Sequence, residues 1–132
     1  MTKRIIWIED DTNIIWPVIR PLENRGFEII VIESMSEALE SIEELRKCDL
    51  ILLDVILPAR DERWKEENHI GVLLLEMLRE QSVATPVIAF TVVGSPEVEI
   101  RLRELDVVDV LHKPITPSLL EQAAMAALGG DN

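Results

Sequence analysis

Cysteine is nearly absent from this chain: Cys48 is the only one in 132 residues. A single thiol excludes an internal disulfide framework and any cysteine-rich zinc site. Bases are scarce as well. The 13 Lys and Arg face 25 Asp and Glu, a formal net charge of −12, and Lys113 is the last base in the chain. Phosphate backbones and anionic lipid repel a surface of that sign, so direct binding to nucleic acid or membrane is not expected. No apolar run is long enough to span a bilayer, and Met-Thr-Lys-Arg leads into strand-like sequence rather than a signal peptide. A cytoplasmic location is the resulting expectation. No Gly-rich or Ser/Thr-rich loop follows the first apolar run, which disfavours a dinucleotide or flavin protein.

What remains is an ordinary globular composition, 48% apolar and 29% charged, at a length suited to one domain. Residues 1–129 are expected to form it, with 130–132 a short tail. Five apolar runs stand out: Arg4–Ile8, Phe27–Ile32, Leu50–Leu53 ending in Asp54, Val87–Thr91 and Val107–Leu111. They are short, β-branched and nearly continuous, as strands covered on both faces must be. Helix-like stretches separate them. Ser34 and Glu37 form a capping box before a helix carrying Ala38, Leu39, Ile42 and Leu45. Ser95-Pro96 and Thr116-Pro117 each place a capping hydroxyl before proline. The helix after Ser95 runs to about Leu105. The last one carries Leu119, Leu120, Ala123, Ala124, Ala127 and Leu128 and stops at Gly129-Gly130. Helix one, over Asn13–Arg25, contains Pro17 and Pro21 and should kink or end early. The alternation of strands and helices predicts an α/β fold around a parallel sheet.

The carboxyl ends of these strands carry the chemistry. Glu9, Asp10 and Asp11 follow the first, Asp54 ends the third, Thr91 ends the fourth, and His112-Lys113-Pro114 follows the fifth. Open α/β sheets bind ligands outside the strand carboxyl ends, where strand order reverses. In the order 2-1-3-4-5 that crevice lies between strands one and three. Clustered carboxylates repel one another and need compensation. Mg²⁺ held by hard oxygen ligands is one source and the Lys113 ammonium another. A carboxylate beside a cation, a lysine and a hydroxyl is equipped to attack phosphorus, so phosphoryl transfer onto Asp54 is the expected chemistry. Asp11 or Thr12 is instead expected to cap helix one.

These motifs resemble the receiver domain of two-component response regulators. The resemblance runs from Lys3 to about Leu128 through Ile-Ile-Trp-Ile-Glu9-Asp10-Asp11, Asp49-Leu-Ile-Leu-Leu-Asp54-Val-Ile-Leu-Pro58, Ala89-Phe-Thr91 and His112-Lys113-Pro114-Ile115. It implies a (βα)₅ flavodoxin-like three-layer sandwich with sheet order 2-1-3-4-5. It further implies a phosphoacceptor, Asp54, that is not a turnover enzyme, loaded by a sensor histidine kinase or histidine phosphotransfer protein. Asp10 and Asp54 would bind Mg²⁺ through side chains, Ile56 through its carbonyl and Glu9 through water. Thr91 and Lys113 would each meet a phosphoryl oxygen, and Pro114 would follow a cis peptide.

Four positions depart from the family pattern. Val110 stands where an aromatic usually precedes the lysine by three residues, so the usual threonine–aromatic switch is missing. Val92 replaces the Ala or Gly that usually follows the threonine and should crowd the phosphoryl site. The best match to the glycine after the phosphorylated Asp is Gly71, 17 positions after Asp54, which leaves an insertion of about nine residues in the charged loop Ala59–Asn68. The last helix carries no base, which argues against the salt-bridged dimer of many DNA-binding regulators and for a monomer or weak dimer. His69 and His112 lack a metal-ligand pattern, Cys48 reads as a small partly buried residue, and Trp64 reads either as a partner anchor or as a side chain folded back. The alternative function is a receiver-like interaction module acting without phosphorylation. A phosphatase with an aspartyl nucleophile would want a second acid two residues after Asp54, and Ile56 stands there.

Overall fold

The computed structural model describes residues 2–57, 69–92 and 96–129. Strands β1 (Arg4–Ile8), β2 (Glu28–Ile32), β3 (Leu50–Asp54), β4 (Val87–Thr91) and β5 (Asp109–His112) form one sheet. All pairings are parallel, in the order β2-β1-β3-β4-β5. Residues alternate in direction along a strand, and that alternation sorts the core into two layers. Ile6, Ile8, Ile51, Leu53, Val87 and Ala89 join one buried cluster. Ile5, Trp7, Leu50, Leu52, Ile88 and Phe90 join the other. Both sets are apolar, which is why the runs read as continuous: β3 and β4 are buried at every position.

Helices α2 (Met35–Leu39), α3 (Ile42–Lys47), α4 (Ile70–Glu80) and α5 (Pro96–Glu104) cover the first layer, and α1 (Arg20–Asn24) and α6 (Pro117–Ala127) the second. The expected first helix is mostly absent. Asp11 accepts the Asn13 N–H at 3.1 Å and caps a 3-10 turn over Thr12–Ile14. Irregular turns follow, and α-helix begins only at Arg20, which leaves Pro21 in the first turn where no intrahelical N–H is needed. Ile15, Val18, Ile19 and Leu22 are still buried at helical spacing.

The helix expected after Ser34 is two helices. Its cap forms, with the Glu37 N–H donating to Ser34 Oγ at 3.2 Å, while Glu37 Oε1 reaches back one residue past the cap and accepts the Glu33 N–H at 3.0 Å. Farther on, the Ser41 hydroxyl donates to the Glu37 carbonyl at 2.9 Å. That carbonyl would otherwise take the Ser41 N–H, which turns to Ala38 instead, and the helix breaks there. Two strand starts are also later than expected. Phe27 and Val107 donate their N–H groups back to Leu22 and Leu102, closing the preceding helices, so β2 and β5 begin after them.

The last helix starts as its sequence predicts, with Thr116 Oγ1 accepting the Leu119 N–H at 3.2 Å and Pro117 in the first turn. It ends at Gly129, whose φ of +76° suits glycine. Leu119 lies off its buried face and is exposed. Gly71 has a different task. A Cβ there would lie 2.4 Å from the Asp54 carbonyl oxygen, and its N–H donates to Val55 at 2.8 Å. Glycine lets α4 begin directly against the end of β3.

Candidate functional site

Register brings the acids together. Ile8 pairs with Leu53, so Glu9 follows β1 beside Asp54 at the end of β3. Asp54 pairs with Phe90, and Thr91 pairs with His112, so Thr91 and Lys113 stand at the same end of the next two strands. The Lys113 N–H donates to the Thr91 carbonyl at 2.8 Å, and the Lys113–Pro114 peptide is cis.

Glu9 and Asp54 are buried, at 1% and 2% exposure. The Lys113 ammonium donates to Asp54 Oδ1 at 2.9 Å and lies 3.8 Å from Glu9 Oε1. Asp54 Oδ1 also accepts the Ile56 N–H at 3.2 Å. Glu9 Oε2 accepts the Asp11 N–H at 3.2 Å, whereas its Oε1 is buried without a hydrogen bond. Burial first, and then the neighbouring Asp54 carboxylate, push the Glu9 pKa up to about 8, against the opposing pull of Lys113 and the Asp11 amide.

Glu9, Asp10 and Asp54 each offer a carboxylate oxygen within 4.8 Å of the others. Ionised together, the three carboxylates would leave a deficit of positive charge against the one ammonium, and Glu9 Oε1 is an acceptor still without a donor. Hard oxygen donors in that state fit a divalent cation such as Mg²⁺.

The other expected residues are nearby, in varying readiness. Thr91 is buried, and its hydroxyl donates to the Val92 carbonyl at 3.2 Å. Ile56 is 45% exposed. Val92 is 58% exposed and so packs little against the core, while Val110 is buried in the layer under α2–α5. His69 precedes α4 without a side-chain cap bond, and His112 Nε2 lies 2.9 Å from Glu99 Oε2. Neither histidine joins the acids. Cys48 is buried, with its thiol pushed up to about 11 by burial. Trp64 and the loop Ala59–Asn68 lie outside the described residues. Sequence reasoning missed the Ile56 amide on Asp54 and the orphaned Glu9 oxygen, because periodicity carries no signal for either.

The chain matches the family model described as response regulator receiver domain over residues 5–125. It is 30% identical over 122 residues to the phosphate regulon transcriptional regulatory protein PhoB of Escherichia coli, covering 91% of this chain and 49% of that protein. It is 32% identical over 112 residues to the transcriptional regulatory protein CpxR of the same organism, covering 85% and 43%. The chain thus spans about half the length of these curated relatives. Among solved structures, a CheY-like response regulator receiver domain protein from Methanospirillum hungatei superposes with a TM-score of 0.76 at 26% identity, covering 96% of this chain and 94% of that one. A two-component response regulator from Clostridium difficile, at 23% identity and TM-score 0.78 with 97% of each chain covered, shares the fold.

Proposed function

Because this chain belongs to the response regulator receiver domain family, whose members bind Mg²⁺ at an acidic pocket and interact with sensor histidine kinases, we propose that it is a phosphoacceptor charged on Asp54. One observation carries the reading: a carboxylate at 2% exposure is held by Lys113 at 2.9 Å and grouped with Glu9 and Asp10.

A carboxylate oxygen of Asp54 attacks the phosphorus of a phosphohistidine on a kinase or phosphotransfer protein. The P–N bond breaks, and its electron pair leaves with the imidazole nitrogen, which takes a proton from solvent. Lys113 passes from Asp54 to one phosphoryl oxygen, and Thr91 turns its hydroxyl from the Val92 carbonyl to another. Asp10 and Asp54 would hold Mg²⁺ through their side chains, Ile56 through its carbonyl and Glu9 through water. The ion when bound neutralises charge on the transferring phosphoryl group. Residues 1–129 act as the receiver unit, and 130–132 as a tail. The role is that of a loaded switch, without multiple turnover. With a net charge of −12, the domain makes no nucleic-acid contact of its own, and it works as a monomer or weak dimer.

Incubation with Mg²⁺ and acetyl phosphate, followed by intact-mass measurement, tests this. One phosphoryl adduct should form and should disappear with a chelator or with Asp54→Asn. A second reading, an interaction module of fixed conformation, draws on the burial of Val110 where an aromatic reporter would stand. Absence of any adduct favours it.

A further inference from the structure

Helix α5 is held more lightly than its neighbours. Of its nine residues only Leu102 is buried, with Val98 half-buried against the same layer, whereas α4 buries five residues and α6 three. A helix with so little apolar anchorage shifts easily, and its polar ties weigh more in setting its position. Among the described residues two ion pairs join it to other elements. Arg101 Nε reaches Glu76 of α4 at 2.9 Å, and Glu99 Oε2 lies 2.9 Å from His112 Nε2 at the end of β5. A carboxylate only accepts, so the ring nitrogen donates, in the neutral Nε2–H tautomer as in the imidazolium.

The second tie starts at the acidic site. His112 directly precedes Lys113 and pairs in register with Thr91, and the Lys113 N–H donates to the Thr91 carbonyl at 2.8 Å. Side chains alternate along a strand. Lys113 reaches Asp54, while His112 faces with Val110 the layer that α5 covers. The backbone of His112 is therefore linked to both residues that the proposed function turns toward the phosphoryl group, and its ring is linked to α5.

We infer that the His112–Glu99 contact couples phosphorylation of Asp54 to the position of α5: closed in the unphosphorylated chain, it opens when Thr91 and Lys113 turn to phosphoryl oxygens. The direction follows from the distance. At 2.9 Å the pair already has good hydrogen-bond length, so displacing His112 against α5 weakens it. The coupling rests on the proposed function.

Coupling is reciprocal, so if loading Asp54 opens the pair, deleting the pair must favour loading. Beryllofluoride with Mg²⁺, an unreactive stand-in for the phosphoryl group, gives the test. It is titrated at one fixed pH into the full chain, His112→Phe, Glu99→Met and the double variant, and followed by amide NMR shifts. The two side chains are 42% and 37% exposed, so the variants should fold, which their free amide spectra check. Each single variant should bind about 1.5- to 5-fold more tightly, the range for an exposed ion pair. The double variant should gain no more than one single variant does, because both remove the same contact. In a His69→Gln background the single remaining imidazole reports the pair itself. Its Nε2 resonance should move on loading toward its position in free Glu99→Met, and should move far less when Glu99→Met is loaded. Unchanged or weakened affinity in the variants, or effects that add, overturns the coupling. So does a ring shift of equal size with and without Glu99, which reports only the field of the bound anion. A chain that binds no beryllofluoride and forms no adduct with acetyl phosphate contradicts the phosphoacceptor reading, and the coupling falls with it. A chain that is loaded while the pair stays unmoved overturns the coupling alone.

Discussion

Glu9 shows how a single residue ties charge to metal. In the metal-free chain its folded pKa of about 8 lies above the ordinary 4.5. Between those values the folded state holds a proton that the unfolded state has lost, so metal-free stability falls as pH rises through that window. A cation binding beside Glu9 favours the ionised form and expels the proton. Apparent Mg²⁺ affinity should therefore rise from about pH 6 to 8, by at most about tenfold per pH unit, and level off above. Titrations at several pH values check this; a flat profile, or an unchanged slope in Glu9→Gln, contradicts it. Val92 offers a second test at this scale. It is 58% exposed, so Val92→Ala should alter stability by no more than about 0.5 kcal/mol. If its branched side chain crowds the phosphoryl group, the same change should shorten the aspartyl phosphate lifetime, followed by mass spectrometry; an unchanged lifetime refutes crowding.

Between elements, two contacts set the frame. Gly71→Ala would drive a methyl group to within 2.4 Å of the Asp54 carbonyl oxygen, so α4 and β3 must separate. A loss of about 1–3 kcal/mol or more is expected in denaturant unfolding, together with slower phosphorylation. At the opposite end of the sheet, Arg79 of α4 donates to the carbonyls of Val83, Thr85, Leu105 and Asp106 and joins the loops before β4 and β5. Arg79→Met should cost about 1–3 kcal/mol in urea unfolding, since three part-buried carbonyls lose a charged donor, and should leave the acidic site's chemistry intact. The strands were legible because burial on both faces forces continuous apolar runs. Helix boundaries were less so. The break at Ser41 depends on a hydroxyl choosing the Glu37 carbonyl, and the shortened α1 depends on which turn accommodates each proline; both are decided by local competition that apolar spacing does not encode.

For the whole molecule, the net charge of −12 and the three clustered acids are separate matters. The cluster was legible because four strand ends each carry a chemically apt residue. The last helix, whose Glu121 pairs with Arg25 at 2.6 Å, lacks the bases of a salt-bridged dimer. The chain spans about half the length of the curated relatives it matches. All of this turns on where phosphate resides. Borohydride reduces an aspartyl phosphate to homoserine, so reduction after exposure to acetyl phosphate and Mg²⁺, followed by peptide sequencing, locates the modified residue directly. Homoserine at position 54 alone is the predicted result; homoserine at another acid, or at none, would contradict the account.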